Sequence, residues 1–315
     1  MSHTLGTPPT DWAPVAVFAY NRPDKLAAMI TSLRACRGFS ETPVTIFVDG
    51  PKSRGDVKSV EAVRAFVHAL GLPNVSSSFQ DANRGLRRSI YAGVSELIVK
   101  HGNVIVLEDD LLLSPGALDY FNEGLHRYRS DDRVWSIAGY AYDAPVLRDL
   151  ATTFALPFAH PWGWATWARA WEQFQLDNRP ASHQLDAQSF KSAFDMNGLY
   201  PFTALLRNSI EGRVDSWFIH WYYTVFENGG VSIFPSRRVV DNFGHSAGSH
   251  GGALNPYDRL VTRPELLNEG PQFREGCGVD YAALDALRAC HELRVQRLIA
   301  RAGQAKRALR SKGKR

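Results

Sequence analysis

The sequence predicts an α/β fold, with a mostly parallel sheet flanked by helices, then an irregular aromatic-rich half and a basic helical tail. In the first 130 residues, short apolar runs alternate with stretches whose apolar residues recur at helical spacing. The apolar runs are continuous, which is typical of parallel strands buried on both faces. With 315 residues, 44% of them hydrophobic, the chain is long enough for a substantial core.

Four strands and four helices are predicted in the first part, in alternation. Three strands are the apolar runs Val15–Ala19, Val44–Val48 and Val104–Leu107, and Val75–Phe79 is a weaker strand signal. The first three helices are marked by apolar residues at helical spacing over 23–33, 57–70 and 86–98. Ser114 is expected to cap a fourth helix, with Pro115 as its first residue and an end near Tyr128.

Beyond Asp131 the pattern becomes irregular and rich in aromatic residues. Strands are expected over 134–140, 152–158 and 231–234. Two aromatic segments, 161–171 and 215–226, are expected to contain helices. A glycine- and histidine-rich stretch, DNFGHSAGSHGG, follows at 241–252.

Three acids, Glu108, Asp109 and Asp110, directly follow the fourth predicted strand, and Asp49 directly follows the second. In parallel sheets ligands bind beyond the carboxyl ends of the strands. A hard cation such as Mg²⁺ or Mn²⁺ takes one or two carboxylates and completes its shell with phosphates and water. The cluster therefore favours a metal–nucleotide site, the alternative being a solvated acidic turn.

The net charge of +4 is concentrated in the tail, since residues 294–315 hold nine Lys or Arg and no acid. The remaining chain has fewer basic than acidic residues, so nucleic acid is not an expected partner. Three cysteines without regular spacing, and no signal-peptide or membrane-span pattern, predict a cytoplasmic protein. The tail is expected either to attach to the anionic inner membrane face or to be a disordered solubilising segment.

Four blocks in one order carry a resemblance to a known family. They are PVAVFAYNRPDKL (14–26), the EDD triplet, DSWFIHW (215–221), and PSR followed by FGHSAGSHG within 235–251. The chain resembles GT-A fold glycosyltransferases, namely the animal N-acetylglucosaminyltransferases that initiate complex N-glycans and bacterial family-2-type sugar transferases. The resemblance implies metal-dependent, inverting transfer of a hexosyl or N-acetylhexosaminyl group. The expected donor is a UDP-sugar, and the expected acceptor is a hydroxyl of a glycan or lipid-linked saccharide.

On this interpretation the chain has four parts. Residues 1–13 are a polar extension, 14–130 the nucleotide-sugar-binding half, 131–290 the acceptor and catalytic half, and 291–315 the basic tail.

The resemblance also implies roles for single residues. The nucleotide-sugar contacts are expected to be Tyr20, Arg22, Asp49, Asn83, Arg84, Glu108 and Asp109. Asp110 is the expected metal ligand, with His245 or His250 completing the metal shell or holding the diphosphate. Simple caps or turns remain the alternatives for Asp49, Asn83 and Arg84.

Asp215 is the expected catalytic base, which takes the proton of the acceptor hydroxyl. It matches the first acid of the family's W-D-D-W segment, although Ser216 replaces the second acid and Val214 the first tryptophan. The alternative is a helix N-cap. Trp162 and Trp164 are expected to form an acceptor wall, with core packing as the alternative.

Other functions fit the pattern less well. A sugar nucleotidyltransferase shares a parallel sheet and a carboxylate-bound metal, but would need a glycine-rich loop where this chain has YNRPD. A catalytically silent carbohydrate-binding protein is the alternative from another class.

Overall fold

The computed structural model describes residues 11–142, 144–177, 179–180, 182–243, 272–290 and 292. The predicted ligands His245 and His250 and the basic residues of the tail lie outside this range. None of the described helices is long and apolar enough to cross a membrane.

The first half of the chain alternates strands and helices as the sequence predicts. Its elements are β1 (Val15–Ala19), α1 (Pro23–Arg34), β2 (Val44–Val48), α2 (Val57–Ala69), β3 (Val75–Phe79), α3 (Leu86–His101), β4 (Asn103–Glu108), β5 (Leu111–Leu113) and α4 (Ala117–Arg127). The first three strands have the predicted bounds, and β1 and β2 are apolar or β-branched runs ended by a turn.

The second half contains shorter elements. They are β6 (Val134–Ala138), α5 (Pro145–Arg148), β7 (Phe154–Leu156), β8 (Trp164–Trp167), α6 (Ala168–Trp171), α7 (Ser182–Asp186), α8 (Gln188–Phe194), α9 (Phe202–Ile210), α10 (Trp217–Glu227), β9 (Val231–Phe234) and β10 (Val240–Asn242). Residues 281–290 are also helical.

The described strands form an eight-stranded sheet in the order β3-β2-β1-β4-β8-β6-β9-β7 and a two-stranded β5–β10 pair. The first four strands are parallel, and β8 runs antiparallel to both of its neighbours. The β6–β9 pair is parallel again, and β7 is antiparallel to β9. The sheet is thus parallel in its first half and mixed in its second, which confirms the predicted α/β class.

Helices cover both faces of the sheet, and its central strands contribute to both cores. Along β1, Val15 and Val17 face a core shared with α1, α2 and α4, while Ala16 and Phe18 face a core shared with α3 and α10. This alternation is the two-residue period of a strand, with both faces buried. It explains why the strands are continuous apolar runs.

One local prediction was wrong. Helix α4 starts at Ala117 with Gly116 as its N-cap, not at Pro115 with Ser114 as the cap. The reason is that β5 pairs with β10 and the pairing extends to the Ser114 amide, which donates to the Val239 carbonyl at 2.9 Å. The chain is therefore still extended at Ser114.

The segment 161–171 ends in a short helix, as predicted, but a strand that the sequence did not predict comes before it. Residues Trp164–Trp167 form β8, between β4 and β6, and only the four residues of α6 are helical. All four β8 residues are buried, because both faces of this central strand are covered. A short run of aromatic residues does not distinguish a buried strand from a buried helix.

Candidate functional site

The carboxyl ends of β1, β2 and β4 meet at one edge of the sheet. Phe18 pairs with Glu108, and Ala19 pairs with Val48, so these strands end level with one another. This register places the turn after β1, Asp49 after β2, and the acidic cluster after β4 side by side. The predicted convergence of these sequence-distant groups is therefore observed.

Arg22 bridges two of the three acids. Its guanidinium binds both oxygens of Asp109, through Nε at 3.3 Å from Oδ2 and through Nη2 on Oδ1, and its Nη1 lies 3.0 Å from Oδ2 of Asp110. Arg22 is also the N-cap of α1, where a cation is unfavourable against the helix dipole. The two carboxylates offset that cost, and the cation offsets the burial of Asp109, whose side chain is 3% exposed.

The acidic cluster is difficult to ionise fully. Burial, followed by repulsion from Asp110 and Asp109, raises the pKa of Glu108 to about 8, although Arg22 and a hydrogen bond with Trp217 oppose this. Burial raises the pKa of Asp109 to about 6, against the lowering effect of Arg22. A single arginine thus under-compensates three carboxyl groups, and a further cation bound here would favour their ionised forms.

The carboxylates fit one class of metal site and not another. The described residues contain no group of three or more His, Cys, Asp or Glu side chains that could hold a metal by themselves. Asp110 is 14% exposed at its side chain and meets Arg22 through Oδ2, while no described residue donates to its Oδ1. One accessible carboxylate fits Mg²⁺ or Mn²⁺ that takes its other ligands from phosphates and water.

Asp49 is held by the protein itself. Its carboxylate accepts hydrogen bonds from the backbone amides of Gly50, Arg84 and Gly85 at 2.9–3.0 Å, and from the Asn83 side chain at 3.0 Å. These four bonds match the four lone-pair positions of a carboxylate. Asp49 therefore anchors the 83–85 turn, which is a different role from the local cap that was the alternative to nucleotide binding.

The other predicted nucleotide contacts are Tyr20, Asn83 and Arg84. The Tyr20 hydroxyl accepts a hydrogen bond from the Lys52 amide at 2.9 Å. The Asn83 amide nitrogen is shared between Asp49 and the Gly50 carbonyl, and the Arg84 side chain is exposed. All three belong to turns at the carboxyl edge of the sheet.

Asp215 is exposed and lies just before α10. Its Oδ2 is 2.9 Å from the position that a Cβ would take at Gly85, whose φ is +81°, so only glycine fits there without strain. The N-cap of α10 is Ser216, and its side chain makes no capping bond. Asp215 is thus not the cap of α10, and the 83–85 turn places it next to the groups anchored by Asp49.

A cleft of about 380 Å³ opens beside Asp215. Its polar lining includes residues that the sequence interpretation did not select, namely Arg87, Arg88, Asp177, Arg179, Ser209 and His220. The available sequence signal was the basic run RGLRR at 84–88, placed at the start of a predicted helix where arginine is not favoured. Arg179 and His220 carry no local signal and join the cleft only through the fold.

The two predicted acceptor tryptophans have different surroundings. Trp164 is 1% exposed and stacks on Trp217 in the core, with ring centroids 5.3 Å apart. This placement contradicts its predicted role in an acceptor wall and matches the core-packing alternative. Trp162 is only half-buried and packs edge-on against Tyr140 and His160, so it keeps the predicted role.

Comparison with known proteins gives weak structural similarity. A mannosyltransferase from Pyrobaculum calidifontis, solved with GDP-Man and Mn²⁺, has a TM-score of 0.42 at 11% identity, over 70% of this chain and 74% of that one. GalNAc-T7, solved with UDP, GalNAc and Mn²⁺, has a TM-score of 0.46 at 11% identity, over 74% of this chain and 44% of that one. S. aureus TarS 1–349 has a TM-score of 0.43 at 10% identity, over 73% of this chain and 59% of that one.

This chain therefore spans less than two thirds of the last two proteins. No protein-family model matches the sequence. Similarity at this level assigns no activity to this chain.

The role of Asp49 can be tested by stability. Asp49→Ala leaves the backbone amides of Gly50, Arg84 and Gly85 without this acceptor, so the free energy of unfolding should fall by at least about 2 kcal/mol. Urea unfolding measures this. Asp81→Ala, which removes an exposed acid from the same loop, should change it by less than about 0.5 kcal/mol. An Asp49→Ala protein as stable as the wild type would contradict the anchoring role.

Proposed function

We propose that this chain is a metal-dependent, inverting glycosyltransferase of the GT-A type that transfers a sugar from a nucleotide-diphosphate sugar to a hydroxyl group. The observation that carries the proposal is the Arg22–Asp109–Asp110 arrangement where β1 and β4 end together. A guanidinium beside an accessible carboxylate offers two ways to bind a diphosphate, directly through the arginine and through a cation held by Asp110.

The donor is expected to lie along the carboxyl edge of the sheet. The guanidinium of Arg22 would bind the diphosphate bidentately, and Tyr20 and Asn83 would line the nucleotide site. Mn²⁺ or Mg²⁺, when bound, neutralises the leaving diphosphate, so that no separate general acid is needed. UDP is the proposed nucleotide, and a hexosyl or N-acetylhexosaminyl group is the proposed sugar.

Asp215 is proposed as the general base. It is an exposed carboxylate in a cleft next to the 83–85 turn, so an acceptor can reach it. Two residues further on, Trp217 is close enough to Glu108 to oppose the rise in the pKa of that carboxyl, so the start of α10 adjoins the acidic cluster. In a single displacement, Asp215 takes the proton of the acceptor hydroxyl as that oxygen attacks the anomeric carbon.

Three further proposals concern residues that the structure does not describe, or the cellular setting. His245 or His250 is proposed to complete the metal shell or to hold the diphosphate. The acceptor is proposed to be a glycan or lipid-linked saccharide. The basic tail from Arg294 is proposed to attach the protein to the cytoplasmic membrane face.

Asp110→Asn tests the metal site. Asn keeps the shape of the side chain but removes the charge that anchors the cation, so transfer should fall at least about 100-fold at limiting Mn²⁺. The assay is release of UDP from UDP-sugar, compared with Asp24→Asn, an exposed acid in the first turn of α1. Circular dichroism should show both variants folded. A folded Asp110→Asn protein with wild-type activity would refute the metal role.

Asp215→Asn tests the base. Loss of a general base should lower kcat by about 10²–10⁴-fold, while the Kd for UDP should barely change because the base contacts the acceptor. Asp177→Asn, which alters the other acid of the cleft, should lower kcat far less. If Asp215→Asn instead weakens UDP binding and spares kcat, Asp215 belongs to the donor site.

A further inference from the structure

The cleft beside Asp215 has more positive than negative charge. Four arginines line it, against two carboxylates, Asp177 and Asp215; the arginines are Arg84, Arg87, Arg88 and Arg179. Arg87 pairs with Asp177 at 3.3 Å. Neither Arg88 nor Arg179 makes an ion pair with any residue that the structure describes. The surplus positive charge therefore has no ion-pair partner among the described residues.

The backbone adds to this surplus. Arg84, Arg87 and Arg88 surround the N-terminus of the 16-residue helix α3, which has no acid in its first turn and no side-chain cap. The N-terminal end of a helix carries a partial positive charge and exposes amide donors. Arginines placed there destabilise the helix slightly unless an anion is bound between them.

The floor of the cleft is fixed in place. Arg87, whose side chain is 22% exposed, places Nη1 3.1 Å from Nε2 of His220. A guanidinium can only donate, so Nε2 of His220 accepts and carries no proton. His220 is 2% exposed, and the buried Ser209 hydroxyl lies 3.0 Å from the same nitrogen. Arg87 is thus held at a defined position by groups below it.

We infer that the acceptor saccharide carries an anionic group, a phosphate, sulfate or carboxylate, and that Arg87, Arg88 and Arg179 bind it beside Asp215. This inference rests on the proposed function, because it assigns the cleft to the acceptor. The donor diphosphate already has Arg22 and the carboxylate-held cation at the strand edge. A neutral acceptor would leave Arg88 and Arg179 uncompensated, whereas an anion would pair with them and bring a neighbouring hydroxyl to the base.

The test uses isothermal titration calorimetry on the full chain. UDP with Mn²⁺ is titrated first, which examines the proposed function alone. Glucose 6-phosphate, glucose 6-sulfate, glucuronate and neutral glucose are then titrated into the UDP-saturated protein. At least one anionic sugar should bind about tenfold or more tightly than glucose, since hydrogen bonds to charged groups are the strong ones. The preference should shrink as salt is added.

Arg88→Gln/Arg179→Gln should reduce the preference for the anionic sugar to within about twofold, with UDP affinity unchanged. The control Arg34→Gln/Arg129→Gln removes the same charge from two exposed arginines outside the cleft and should retain the preference. Absence of UDP binding would count against the proposed function. If UDP binds but the sugars bind equally, or if the cleft variant loses UDP affinity instead, the anionic acceptor is excluded.

Discussion

Burying a carboxylate at the end of a strand costs free energy unless a cation or several donors meet it, and this constraint organises the carboxyl edge of the sheet. Asp109 is 2% exposed and directly follows the last residue of β4. Arg22 meets it because β1 lies beside β4 in register, which brings the turn after β1 to the acidic cluster. The edge is therefore stabilised by an ion pair that also leaves one carboxylate, Asp110, accessible.

Asp49 meets the same constraint in another way. Its carboxylate is satisfied by three amides and one side-chain amide, all neutral donors. A carboxylate with four such bonds has little capacity left for a ligand, but it fixes the 83–85 turn and through Gly85 the position of Asp215. Asp49 thus supports the structure, while Asp110 in the cluster after β4 keeps a carboxylate that is accessible to a ligand.

Much of this arrangement could be predicted from the sequence. Continuous apolar runs located β1 and β2 residue by residue, and the position of Glu108–Asp110 after a strand located the candidate site. The saturation of Asp49 could not be predicted, because it depends on backbone amides contributed by a distant turn. The burial of Trp164 could not be predicted either, because it depends on the insertion of its strand, β8, between β4 and β6. The cleft joins α3 with Arg179 and His220, which lie about 90 and 130 positions further along the chain.

The central claim is that the carboxylates after β4 hold an exchangeable cation that is completed by a diphosphate. Because Arg22 already pairs with Asp109 and Asp110, Mn²⁺ alone should bind weakly. A diphosphate supplies oxygens to the ion and gives Arg22 another anion to bind. Electron paramagnetic resonance titration of Mn²⁺, with and without saturating UDP, measures this coupling directly. The account predicts that UDP tightens Mn²⁺ binding at least about tenfold, with the reciprocal effect on UDP. A Mn²⁺ affinity that UDP leaves unchanged would contradict it.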